Sequence, residues 1–150
     1  MNVAVLLVAS LLFALPVLDQ GPKLDPALES RAKEYFRSLA AGDFGNVWEL
    51  SSTHLRDASG NDREAFIARL QELAPYDMKV ELLVGWSADA EGRIYLTIQT
   101  RNTKADPWSV TDYEARWIQE ADKWFLDDMS ESTCFERALH EWPRISSSPN

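Results

Sequence analysis

The sequence predicts an α+β fold in which N-terminal helices cover one face of an antiparallel sheet of about four strands. Three observations carry this reading. Up to Pro75 the apolar residues recur at steps of three and four, the spacing of one helix face. From Met78 they alternate with polar residues, the period of a strand. The strand-like runs are joined by connections of three to five residues, too short for a crossover, so neighbouring strands run antiparallel. Helical and strand segments are thus segregated along the chain, as an α+β domain requires.

The first helix opens at Asp25-Pro26, an N-cap followed by proline at the first helical position. Leu28, Ala32, Tyr35, Phe36 and Leu39 form its apolar stripe, with Glu29 and Lys33 as an i, i+4 pair on the other side. Gly42 ends it just past the C-cap. Asp43 caps a second helix carrying Phe44, Val47, Trp48 and Leu50, which Ser51-Ser52-Thr53 end. Residues 54–60 read as a loop or irregular turn. Asn61 or Asp62 caps a third helix with Phe66, Ile67, Leu70 and Leu73, and Pro75 stops it.

Residues 78–86 place Val80, Leu82, Val84 and Trp86 on one strand face, with Leu83 breaking the alternation. Asp89-Ala90-Glu91-Gly92 turns into 93–102, where Ile94, Leu96 and Ile98 oppose Tyr95, Thr97 and Gln99. Lys104-Ala105-Asp106-Pro107 turns into 108–119, with Tyr113, Ala115 and Trp117 on one face. Glu120-Ala121-Asp122 leads to 123–129, with Trp124 and Leu126 on one face. Residues 131–142 have the spacing of a short helix (Phe135, Leu139, Trp142), ended by Pro143. The domain therefore spans 25–142, preceded by a linker at 19–24 and followed by a flexible tail at 143–150.

At 150 residues with 45% apolar side chains and 6 Trp, the chain has material for one domain with a substantial core. Its net charge is -9, from 24 acidic and 15 basic residues, with no basic cluster. Nucleic-acid binding draws on counterion release at a basic surface, so that partner class is excluded. Acidity of this size keeps the chain soluble and repels anionic partners. Cys134 is the lone cysteine, which excludes an intrachain disulfide and a thiolate zinc site and leaves a structural thiol. Asp127-Asp128 with Glu131 lacks the ligand spacing of a Ca²⁺ loop and reads as a solvated strand end. No phosphate-binding loop, dinucleotide fingerprint, nucleophile elbow or paired C-x-x-C occurs, so no cofactor and no metal is expected.

Residues 1–18 begin with an uncharged apolar run from Val3 to Leu15, closed by Pro16. As a helix the run reaches about 20 Å, short of the roughly 30 Å hydrocarbon layer, and it fits the core of a secretory signal. Cleavage is expected between Val17 and Gln20, giving a periplasmic or secreted protein. The alternative is a retained apolar anchor, which is the chain's one expected route to a membrane.

Tyr35-Phe36-Arg37-Ser38-Leu39-Ala40-Ala41-Gly42-Asp43-Phe44, followed by Trp48-Glu49-Leu50, is similar to the opening of NTF2-like proteins. Tyr113-Glu114-Ala115-Arg116-Trp117 and Lys123-Trp124-Phe125-Leu126-Asp127 resemble that family's closing hairpin. The similarity spans residues 25–129. It implies a strongly curved sheet wrapped around the helices, a cone whose mouth can hold a small molecule. It also implies acid–base side chains inside the cone where the member is an enzyme, and often a homodimer through the outer sheet, which an exposed Trp108 would support. None of the family's catalytic positions maps onto this chain.

The candidate functional residues are few. His54 and Asp57, three apart, form a potential proton-transfer pair, set against a histidine that merely favours a helix end. Tyr35, Tyr95, Tyr113 and Trp117 are candidates to line a ligand pocket in the cone, set against plain core packing. The reading that results is a non-catalytic module that binds a small, partly apolar molecule or a protein partner. The rival is a small isomerase, dehydratase or cyclase using an acid–base pair in the cone.

Overall fold

The computed structural model describes residues 21–132 and 135–146. Residues 1–18, which hold the expected signal or anchor, lie outside the described residues, as do Cys134 and the last four positions. The helices come first: α1 (Pro26–Ala41), α2 (Phe44–Glu49), α3 (Thr53–Asp57) and α4 (Arg63–Leu73). The strands β1 (Asp77–Ala88), β2 (Glu91–Arg101), β3 (Ser109–Glu120) and β4 (Lys123–Glu131) follow, and α5 (Phe135–Glu141) closes the order. The sheet runs β1-β2-β3-β4 with each neighbouring pair antiparallel. The expected α+β class and the curved, unclosed antiparallel sheet are both present.

α1 forms where its end signals predict. Asp25 accepts from the Ala27 amide at 2.8 Å, and its second carboxylate oxygen accepts from the Trp124 indole at 2.8 Å. One side chain thus caps the helix and ties it to β4. At the other end Gly42 takes φ 76°, with the Gly42 and Asp43 amides returning to Leu39 and Ser38. That paired closure needs a left-handed residue, which glycine adopts without strain. Leu28, Ala32, Tyr35 and Phe36 are buried along one stripe, against Ile94, Leu96, Ala115, Trp117, Trp124 and Leu126 of the sheet.

Three features depart from the sequence reading. Thr53–Asp57 is a helix, not a loop, with Ser52 as its N-cap accepting from the Leu55 amide at 3.0 Å. Arg56 of this turn donates to the Trp48 and Glu49 carbonyls at 3.0 Å each, satisfying the open end of α2. In β1 the register shifts between Leu82 and Val84. This bulge turns Val84 and Trp86 away from the face of Val80 and Leu82, onto the outer side. There Val84 and Tyr95 are covered by Ala138, Leu139 and Trp142, with Trp142 edge-on to Tyr95 at 4.8 Å and to Trp86 at 5.8 Å. Helical cover is therefore present on both faces.

The third departure concerns the expected tail from Pro143. The Pro143 carbonyl accepts from Gly85, the Ile145 amide donates to Leu83, and Ile145 is 8% exposed within the main core. An open sheet leaves a row of unpaired groups along its outermost strand, and this segment fills part of β1's. Replacing Ile145 by Ala is expected to lower the unfolding free energy by about 2–3 kcal/mol in a urea titration. A change under about 0.5 kcal/mol, as at a surface position, would place the residue outside the core.

Candidate functional site

The interior between α1 and the sheet is filled by aromatic rings. Tyr35 and Phe36 lie edge-on at 5.1 Å, and both meet Trp117 edge-on, at 5.8 and 6.4 Å. Trp117 is wholly buried and its indole N–H has no hydrogen-bond partner, so it is shut off from any ligand outside. Burial drives the Tyr35 phenol far above its ordinary range, against a smaller pull from the Ser51 hydroxyl. It stays protonated at any physiological pH and is no base. Tyr113 is half-buried at the margin of the same core. Tyr95 lies on the opposite face, where its hydroxyl donates to Glu114 at 2.7 Å. The structure thus brings Tyr35, Tyr113 and Trp117 to one side of the sheet and leaves Tyr95 on the other.

His54 stands in the first turn of α3, 74% exposed, with Nδ1 3.3 Å from Oδ1 of Asp127. No contact joins it to Asp57, which is exposed at the end of the same helix. Asp127 is not a solvated strand end: it is 2% exposed. The β3–β4 register slips after Arg116, so Asp127 is the extra residue of a bulge, turned toward the helices. Ser52 donates to its Oδ1 at 2.8 Å, and Arg116 pairs with its Oδ2.

Burial alone would push the Asp127 carboxyl up. The Ser52 hydroxyl, the Arg116 guanidinium and His54 together outweigh burial and hold it below the usual carboxylate range. The grouping has the residue types of a hydrolytic triad but the wrong connectivity. Here the carboxylate sits between hydroxyl and imidazole, whereas nucleophile activation needs the imidazole between the other two. Ser52 is also fully buried and already caps α3. The cluster is a clamp joining α3 to the β3–β4 hairpin, reinforced by Thr53, whose amide and hydroxyl both donate to Glu120 at 2.9 Å.

A groove of about 470 Å³ lies between α1, β1 and the segment 144–146. Phe36, Val80 and Leu82 supply apolar lining, while Lys33, Arg37 and Arg144 bring cationic groups to it. Its far wall is the segment zipped to β1. Among the described residues no group of three His, Cys, Asp or Glu side chains comes together to hold a metal ion.

No protein-family model matches the sequence, and no curated protein matches it. Among solved structures, a SEC-C motif containing protein from Rhodopseudomonas palustris is similar over 69% of this chain and 77% of its own, with TM-score 0.56 and 13% identity. A candidate dehydratase of the NTF2-like family from Streptomyces avermitilis is similar over 72% of this chain and 95% of its own, with TM-score 0.52 and 11% identity. Likeness at these identities concerns the fold, and the fold is NTF2-like.

The clamp carries a pH signature. A carboxyl whose folded pKa lies below its unfolded value, near 3.9, stabilises the fold above that value and ceases to as pH falls through the folded one. Asp127→Asn is expected to cost about 2 kcal/mol near neutral pH and to shrink the loss of stability on acidification below about pH 4. Urea titrations across pH read both. Parallel profiles for the two proteins would contradict the assignment.

Proposed function

We propose that this NTF2-like chain is a non-catalytic binding module whose ligand, a small and partly apolar molecule, sits in the groove between α1, β1 and residues 144–146. One observation carries the reading: the cone interior is occupied by Tyr35, Phe36 and Trp117 in mutual contact, while a concavity of about 470 Å³ stays open at its margin. That volume falls within the roughly 300–1,000 Å³ of small-molecule pockets. A proton-transfer enzyme needs a carboxylate or imidazole facing its substrate. His54 and Asp57 are on the surface, Asp127 is held ionised in the clamp, and Tyr35 is locked protonated. These facts support binding over turnover.

Ala40 lines the groove from an exposed position of α1, so Ala40→Trp fills the space without touching the core. The variant is expected to keep its stability within about 0.5 kcal/mol and to abolish saturable binding of Nile red, followed by fluorescence. Unchanged dye binding would remove the groove as the seat. Export is part of the same proposal and is supported by the apolar run ending at Leu15. Mass spectrometry of protein purified from its own host is expected to show a chain beginning between residues 18 and 21. An intact mass that retains Met1–Val17 would overturn export by cleavage. A homodimer through the outer sheet is part of the same proposal, and its subunit count is read from the same native spectrum; Trp108, expected to be exposed on that face, is half-buried against Lys79 and Arg101 and lends it no support.

A further inference from the structure

Resting on that reading, we propose that the groove selects an amphiphile with a carboxylate head, bound by Arg37 and Arg144 while its apolar chain lies on Phe36, Val80 and Leu82. The groove's cations differ in how they are engaged. Lys33 is held by Glu29 at 2.7 Å. Arg37 and Arg144 have no ion-pair or side-chain hydrogen-bond partner among the described residues. Arg93, Arg101 and Arg116 by contrast each pair with a carboxylate of this chain, so the two groove guanidiniums keep their forked donors for a carboxylate from outside.

The two guanidiniums approach the groove from different elements. Arg37 follows Lys33 by one turn of α1. Arg144 is set by the bridge between its backbone and Val84, continued by the Ile145 amide on Leu83. Its main chain is therefore positioned before any ligand arrives. Glu81 is the one acid of the lining, and with Lys33 neutralised by Glu29 the two arginines outnumber it. The repulsion of anions expected from the net charge of -9 is a long-range field, screened within about 8–10 Å in physiological salt. Contact between a guanidinium and a carboxylate acts inside that distance, and its forked donors match the two oxygens.

The test is isothermal titration of the full chain with decanoate and with methyl decanoate, which share a chain and differ in head charge. The wild type is expected to bind decanoate about tenfold tighter than the ester. Arg37→Gln and Arg144→Gln should each remove most of that preference and leave ester affinity within about twofold. Both side chains are exposed, so folding is not at stake. Equal affinity of the wild type for acid and ester would overturn the anionic head while leaving the apolar seat intact. A preference that survives the double substitution would also overturn it. Binding of neither compound would overturn the inference and the binding module together.

Discussion

Trp117 anchors the molecule. It projects from the C-terminal half of β3 into the space under α1, is wholly buried, and meets Tyr35 and Phe36 edge-on. Each such aromatic pair contributes roughly 0.5–1.5 kcal/mol beyond the area it buries. More important than the energy is the space: three large rings on facing elements leave no room at the centre of the cone. The same fold can stay open there only where smaller side chains stand. The open space lies instead at the margin, where Ala40 and the half-buried Val80 and Leu82 leave a gap.

An unclosed sheet has two exposed edges, and both are covered by irregular chain. On the β4 side Leu50 and Ser52 exchange backbone hydrogen bonds with Leu126, and the Asp127 bulge then receives Ser52's hydroxyl. On the β1 side Lys23 pairs with Ser87, and Arg144 with Val84. Blocking these edges guards against strand addition from another molecule. On the β1 side it does something further, because the covering segment is also a wall of the groove. Edge protection and the shape of the groove share the same few residues, so a change in one alters the other.

Much of this was legible in the sequence, and the rest was hidden for definite reasons. α1 announced both ends through Asp25-Pro26 and Gly42, and the three hairpins through their short turns. α3 was hidden because five residues are too few to display a helical period, and because Ser52 reads equally well as the end of one helix or the start of another. Leu83 did signal its bulge by breaking the alternation. The consequence, Val84 and Trp86 changing faces, needed the register. Asp127 carried the weakest sign, an acid directly following Trp-Phe-Leu in a strand, and its partners lie 75 residues away at Ser52 and across the hairpin at Arg116. The groove was illegible because its lining unites α1, β1 and residues beyond Pro143, which no local pattern joins.

Lys23 and Arg144 meet β1 at Ser87 and Val84, three positions apart along one strand. At about 3.3 Å per residue that is roughly 10 Å, so the two extremities of the described chain leave the molecule side by side. A short peptide joining them would turn the domain into a near ring, and fresh ends opened at the exposed β2–β3 turn would produce a circular permutant with its edge pairings retained. The same adjacency suits the domain to insertion as a cassette within a surface loop of a host protein, entering and leaving through a single gap.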